Sequence, residues 1–429
     1  MRLGILTSHP IQYQAPWFRA LAKEVDLEVF FAHRPDASQQ GVGFGRAFSW
    51  DVDLLSGYQH RFLENVARQP SSNRFFGCDT PEIKDIIQES RTSDHGRRTT
   101  KRFDALIVSG WNLKSYWQAV RACRHVKIPV LVRGDSQLLT PRSRLIRVAK
   151  AIAYPLLLRQ FDGFLAVGQR NRDYLEHYGA RPAKIFFVRH FVDNQWFKAK
   201  ADVGRRQKAE IRKRWGMSDT SFIALFVGKF QAIKRPGDLL KALGVFRQAD
   251  NGENKRDASP QPILADNNIN VRHPAVVFVG AGEMESELRE LAQRENVHIH
   301  FAGFKNQSEL PACYAAADVL VLPSESETWG LVVNEAMACG LPAIVSNAVG
   351  CAPDLIDEGT TGFTYPVGDT AALAQSLAAL AKMQSAGHDF GPALAEKTRA
   401  YGLQNAVAGT LLAVRQSAAK GPQSSEGAA

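Results

Sequence analysis

The chain has 429 residues, 45% of them hydrophobic and 22% charged, enough for two or three domains with sizeable cores and an ordinary composition for a soluble globular protein. No apolar run approaches the ~18 residues that a membrane-spanning helix needs. The net charge of +10 is uneven, +13 over residues 1–200 and −3 over the remainder, so the first half carries a field suited to an anionic partner.

The chain opens Met1-Arg-Leu-Gly-Ile-Leu-Thr7, which lacks the apolar region and cleavage site of a secretory signal and reads as a first strand. Short apolar runs rich in β-branched residues then recur at 27–31, 105–108, 130–132, 164–167 and 185–188. A second set follows at 223–227, 276–279, 298–302, 319–322 and 343–346. Helix-length amphipathic stretches separate them, the pattern of buried parallel strands with crossover helices. Each half has enough strands for its own doubly wound sheet, so two tandem Rossmann-like domains are predicted. The boundary is expected near residue 200: an N-terminal domain over 1–200, a C-terminal domain over 201–415 and a disordered tail over 416–429. A basic segment at 94–102 reads as a loop, and the polar insertion 248–262 reads as a mobile surface loop. Five cysteines, odd in number and without C-x-x-C spacing, fit a reduced cytoplasmic interior better than a disulfide framework or zinc site.

The segment Val319-Leu-Val-Leu-Pro-Ser-Glu-Ser-Glu-Thr-Trp-Gly-Leu-Val-Val-Asn-Glu-Ala-Met-Ala-Cys-Gly-Leu-Pro342 concentrates the chemistry. A strand ends at Pro323, a helix starts near Gly330, and Gly340 followed by Pro342 stops it. The loop between carries Glu325 and Glu327, and the helix carries Glu335. Free amides at the helix start suit a diphosphate, and a loop beyond the carboxyl end of a strand is where open α/β sheets bind ligands. A second element, Phe226-Val-Gly-Lys-Phe-Gln-Ala-Ile-Lys-Arg-Pro236, also follows a strand. It places Lys229 and Lys234 across one turn.

With its Ser-x-x-Glu lead-in and the flanking Gly-Leu-Val-Val and Glu-Ala-Met-Ala-Cys-Gly-Leu-Pro, the Glu327-x7-Glu335 segment resembles the signature of family-4-type retaining glycosyltransferases. Those have the two-Rossmann-domain (GT-B) fold, its domains facing each other across a cleft. The resemblance is good from about 222 to 369. It implies that Glu327 lies beside the transferred sugar, that Glu335 holds the donor ribose, and that the amides around Thr328, Trp329, Gly330, Leu331 and Val332 meet sugar and phosphates. It also implies that Gly228, Lys229 and Lys234 clamp the diphosphate, with Gly228-Lys229 replacing the usual Gly-Arg and so losing the planar fork of a guanidinium. His300-Phe-Ala-Gly-Phe-Lys305 matches the segment in which Gly303 and Phe304 would border the nucleobase. Ile185-Phe-Phe-Val-Arg-His-Phe-Val-Asp193 is similar to the family's interdomain strand and turn.

The first half departs from the pattern. Where relatives have a glycine-rich loop after the first strand, this chain has Ser8-His-Pro-Ile-Gln-Tyr-Gln-Ala-Pro16, in which His9 and Gln12 are candidates for phosphate or acceptor contact and the prolines suit a stiff turn. Where many have His-Asp, it has Arg133-Gly-Asp135-Ser. Asp135 is expected near the sugar or, equally, in a buried ion pair with Arg133.

The implied activity is transfer from a nucleoside diphosphate sugar to a saccharide or lipid-linked acceptor in cell-envelope or exopolysaccharide assembly, without cofactor or metal. A GT-B-like epimerase or phosphorylase and a non-catalytic donor-binding scaffold are the alternatives. Nucleic acid is disfavoured, for no interleaved aromatic platform accompanies the positive charge. The stretch 141–159 mixes cations and apolar residues at helical spacing. It suits either an anionic inner membrane leaflet or, slightly better, a core helix with a solvated basic edge.

Overall fold

The computed structural model describes residues 1–89, 102–250 and 274–420. The chain forms two compact units. The first holds a seven-stranded sheet of β1 (Arg2–Thr7), β2 (Asp26–Phe31), β3 (Gln59–Phe62), β4 (Ala105–Val108), β5 (Val130–Gly134), β6 (Gly163–Ala166) and β7 (Ile185–Phe187), ordered β3-β2-β1-β4-β5-β6-β7. The second holds six strands, β8 (Ile223–Val227), β9 (Ala275–Val279), β10 (His298–Gly303), β11 (Val319–Leu322), β12 (Ala343–Ser346) and β13 (Gly362–Tyr365), ordered β10-β9-β8-β11-β12-β13. Every strand pairing is parallel. This is the two-domain α/β fold that the strand spacing predicts.

Alternation decides how the first sheet is buried. Leu6, Leu106, Val108, Val130 and Val132 join one core cluster, while Leu3, Ile5, Ala105, Ile107 and Leu131 join another. Side chains of successive strand residues point to opposite faces, so both faces are covered, as an all-parallel sheet requires. In each unit the strand order reverses beside the first strand, at β1/β4 and at β8/β11. Loops at such a switch point are where doubly wound sheets bind ligands.

Two strands escape the sequence pattern. β3 is a polar, exposed edge strand, and β13 is a four-residue edge strand behind a tight turn at Gly359. The units also divide differently from a simple cut near residue 200. The first comprises 1–36, 52–191 and 402–429, and the second 37–51 and 192–401. The region near 198–202 lies inside the continuous helix Asn194–Arg206, which starts where the Asp193 side chain accepts the Trp196 amide at 3.0 Å. The last helix, Leu403–Lys420, packs on the first unit, where Ala406, Val407, Ala413 and Val414 enter its core. Its Gly409 allows close approach, for a Cβ there would stand 2.2 Å from the Phe187 carbonyl oxygen. The expected tail is therefore helical as far as Lys420, and its remainder, most of the basic segment 94–102 and most of the insertion 248–262 lie outside the described residues.

The basic stretch after the first unit is partly structural. Buried Arg212 forks onto both oxygens of Asp318 at 2.7 Å, and its other nitrogens donate to the carbonyls of Ala316, Asp219 and Ser221. The stretch 141–159 is not a core helix. Within Arg144–Leu158 only Leu158 is buried, and Leu145, Ile152 and Leu156 are 83%, 70% and 61% exposed.

Candidate active site

The second unit gathers its chemistry at the β8/β11 switch point. Gly228 turns the chain after β8 with φ +154°, and Gly280 after β9 with φ +138°. A Cβ on Gly280 would stand 1.9 Å from the Gly228 carbonyl oxygen, so the two turns can touch only because Gly280 has none. The Phe230 amide donates to Ala281 and the Gly280 amide to Gly303, tying the turns after β8, β9 and β10 together. On the other side, the Glu325 amide donates to the Ile233 carbonyl at 2.9 Å and joins the β11 loop to the turn that carries Lys234.

That junction sets the Lys234 ammonium on the Glu327 carboxylate, both of them about four-fifths shielded from solvent. The β11 loop is held from behind as well. Glu327 bridges Val349, the Gly350 and Cys351 amides donate to the Glu327 and Trp329 carbonyls at 2.9 Å, and Ser346 Oγ donates to the Ser324 carbonyl at 2.5 Å. A Cβ at Gly350 would meet the Thr328 carbonyl oxygen at 1.9 Å.

The helix predicted from Gly330 to Gly340 spans Leu331–Ala338. Gly330 lies at φ +103° before it and Gly340 at φ +79° after it. The Leu341 amide reaches the Ala336 carbonyl and the Gly340 amide the Met337 carbonyl, a Schellman stop. Thr328 is exposed at the helix start, Leu331 and Val332 are half-buried, and Trp329 is buried. The Trp329 indole donates to Asn334 Oδ1 at 2.8 Å and packs near Tyr401, which leaves the residue's main chain to line the site.

Glu335 projects from this helix and is only 7% exposed. Tyr314 Oη donates to its carboxylate at 2.7 Å, and Gln307 also bonds it. Burial pushes its pKa up to about 7 against the lowering effect of those bonds. Lys229 lies beside Lys234. Burial and then the neighbouring ammonium lower its pKa, and it donates to the Val42 carbonyl at 2.7 Å. Gly303 is exposed at φ +71°, and Phe304 is half-buried beneath Phe44 and Phe48. The structure thus brings Gly228, Lys229, Lys234, Glu327, Thr328, Trp329, Gly330, Leu331, Val332 and Glu335 to the carboxyl end of the central strands of one sheet. Tyr314, Gln307 and Val42 were invisible in the sequence, because nothing in their local pattern marks them.

The first unit presents a different end. Ser8 Oγ and His9 Nδ1 lie 2.9 Å apart, and burial, with His33 adding to it, lowers the His9 pKa to about 4, which keeps the ring neutral near pH 7. The Gln12 side-chain oxygen is buried without a hydrogen-bond partner among the described residues. Pro16 opens the helix Ala15–Ala22, the stiff turn that the prolines suggest. Arg133 is buried, its guanidinium 5.5 Å from the rings of Trp17 and Phe191 and 3.4 Å from His190 Nδ1. Asp135, in contrast, is exposed past the end of β5, close enough to Arg133 to interact with its charge but not buried with it as expected.

Two parallel α/β units, one with its motif residues gathered at a switch point, match the GT-B arrangement that the sequence implies. Residues 207–397 match the family model described as Glycosyl transferases group 1. The D-inositol 3-phosphate glycosyltransferase of Salinispora arenicola (strain CNS-205) is 28% identical over 331 residues, covering 74% of this chain and 68% of that one. The protein of the same name from Streptomyces bingchenggensis (strain BCW-1) is 31% identical over 310 residues, covering 70% and 62%. Among solved structures, Anabaena Alr3699/HepE in complex with UDP superposes with a TM-score of 0.67 at 16% identity, over 97% of this chain and all of that one. Residues 207–397 are thus similar to the glycosyltransferases of group 1, and the two-unit fold is that of the GT-B structures it superposes on.

Proposed function

We propose that the chain transfers a sugar from a nucleoside diphosphate sugar to a saccharide or lipid-linked acceptor, with retention of configuration, in the assembly of an envelope or extracellular glycan. The observation that carries this is the meeting of Lys229, Lys234 and Glu327 beside the start of the helix Leu331–Ala338. As the sugar–phosphate bond breaks, negative charge grows on the diphosphate. Two ammonium groups and the helix-start amides are aimed where it develops, preorganised stabilisation of the kind that contributes most to catalysis. Glu327 holds Lys234 and presents a carboxylate beside the sugar, where positive character develops. The acceptor hydroxyl passes its proton to a diphosphate oxygen, so the protein supplies no base. Glu335 receives ribose hydroxyls once it is ionised. The two lysines supply the charge that other transferases take from a divalent ion.

Uridine, guanosine and adenosine diphosphate sugars, offered with acceptor saccharides, test the reading. Release of nucleoside diphosphate coupled to a new linkage of the donor's own anomeric form, seen by NMR, supports it. An inverted linkage, or donor converted without acceptor as an epimerase would do, sinks it.

The exposed helix Arg144–Leu158 supports a second part of the proposal, peripheral attachment to an anionic membrane. Leu145, Val148, Ile152 and Leu156 are exposed among Arg142, Arg144, Arg147 and Lys150. Apolar side chains flanked by cations suit a leaflet carrying anionic lipid. Among the described residues no helix is long and apolar enough to cross a membrane.

A further inference from the structure

Residues 37–51 follow β2 in sequence yet belong to the second unit. Phe44 and Phe48 stand against Phe304 with ring centroids 5.1 and 4.6 Å away, and Trp50 meets Phe48 edge-on at 5.0 Å. Asn306 Nδ2 donates to the Ser49 carbonyl at 2.8 Å, and Ser308 donates through its amide and hydroxyl to the Asp51 carboxylate. Between these anchors the chain doubles back at Gly41, where a Cβ would lie 1.9 Å from the Arg46 carbonyl oxygen.

The tip of this reversal falls on Lys229. Its ammonium donates to the Val42 carbonyl at 2.7 Å and lies 5.0 Å from the Phe44 ring centroid. Gly43, at φ +86°, leaves room for it, because a Cβ there would be 2.9 Å from Nζ. A main-chain carbonyl thus holds the lysine that the proposed function gives to a diphosphate. A carbonyl bears only a partial charge, whereas a phosphate oxygen bears a formal one and attracts the ammonium more strongly. The anion therefore wins the lysine, and the Val42 carbonyl has to leave it.

We propose that residues 37–51 form a strap on the donor site whose Val42 carbonyl latches Lys229 until a diphosphate displaces it. The proposal rests on the reading of Lys229 and Lys234 as the diphosphate clamp. Opening the latch costs part of the binding free energy, so a strap loosened at its anchors, away from Lys229, binds diphosphate more tightly.

Calorimetric titration of the full chain with inorganic pyrophosphate tests this. Phe48→Ala and Asp51→Ala loosen the strap at separate anchors, and each is expected to tighten pyrophosphate binding about fivefold, the worth of one net hydrogen bond. In a Lys229→Ala background neither should tighten it. No gain in either single variant, or the same gain without Lys229, overturns the strap. The underlying reading is tested in the same experiment by Lys234→Ala: lost binding upholds it, and unchanged binding overturns it whatever the strap variants do.

Discussion

The two units share a topology but prepare the carboxyl ends of their sheets in opposite ways. In the second, the turns after β8, β9, β11 and β12 are built on Gly228, Gly280, Gly330 and Gly350 and tied to one another through the main chain. Charge there stays partly accessible, as at Lys229, Lys234 and Glu327. In the first, the turn after β1 has no glycine, and Arg133 of β5 is buried among Trp17, Phe191 and His190. Glycine turns bring amides and ammonium groups within reach of a ligand. Prolines and aromatic rings fix a wall. One repeated sheet thus ends in accessible charge on glycine turns in one unit and in a packed wall in the other.

The sharpest way to break this contrast is to remove charge at the β8/β11 junction. Lys234→Ala and Glu327→Ala should each lower turnover by roughly a hundred- to a thousandfold while the protein stays folded, the scale of losing one preorganised group. Steady-state kinetics beside thermal melts would check it. A loss confined to KM would instead assign both residues to ground-state binding.

Gly350→Ala sharpens the claim that main-chain contact shapes the site. With the Thr328 carbonyl oxygen 1.9 Å from the new methyl carbon, the β11 loop has to shift, and overpacking of this kind costs about 1–3 kcal/mol. Urea denaturation would read it. Gly359, at φ +69° and with nothing within 4 Å of an added Cβ, reads instead the cost of positive φ, which Gly350 does not carry.

Glu335 links the site to pH. Its pKa is raised in the fold to about 7 from an ordinary 4.5, so the folded state keeps a proton that the unfolded state releases. Stability is therefore full below about 4.5 and falls as pH rises towards 7, by about 3 kcal/mol from a shift of that size. Glu335→Gln should flatten that decline. Because a ribose hydroxyl donates best to a carboxylate, nucleoside diphosphate affinity should rise with pH up to about 7, and the rise should vanish in the same variant. Calorimetry across pH 5.5–8 is the check.

The smallest expected effect on stability comes from the helix Arg144–Leu158. Leu145→Glu with Ile152→Glu should leave the melting temperature nearly unchanged, since both side chains are exposed. The same pair should abolish sedimentation with anionic vesicles at low salt. Vesicle binding that persists would remove this helix from the membrane proposal.

Much of the architecture was legible because buried parallel strands read as apolar runs. Val319-Leu-Val-Leu and Ile223-Ala-Leu-Phe-Val announce β11 and β8, and Gly340 marks a helix end by its capping chemistry. β3 was not legible, since an exposed edge such as Gln59-His-Arg-Phe carries no apolar signature. The return of Leu403–Lys420 to the first unit and the docking of 37–51 on the second are long-range events that no local pattern encodes. The same division runs through the site. Glu327, Glu335 and the lysines stand in a motif, whereas Tyr314 and Val42 are brought to Glu335 and Lys229 by tertiary structure alone. Sequence left Asp135 open between a place near the sugar and burial with Arg133, because it cannot tell which of two nearby groups turns outward; the structure exposes it.

The measurement that tests the central claim most directly is calorimetric titration of uridine, guanosine and adenosine diphosphates into the wild-type chain and Lys234→Ala. The account predicts that one of the three binds the wild type and that Lys234→Ala loses it. Binding that survives the substitution would contradict the site, and no binding of any nucleoside diphosphate to the wild type would contradict the function.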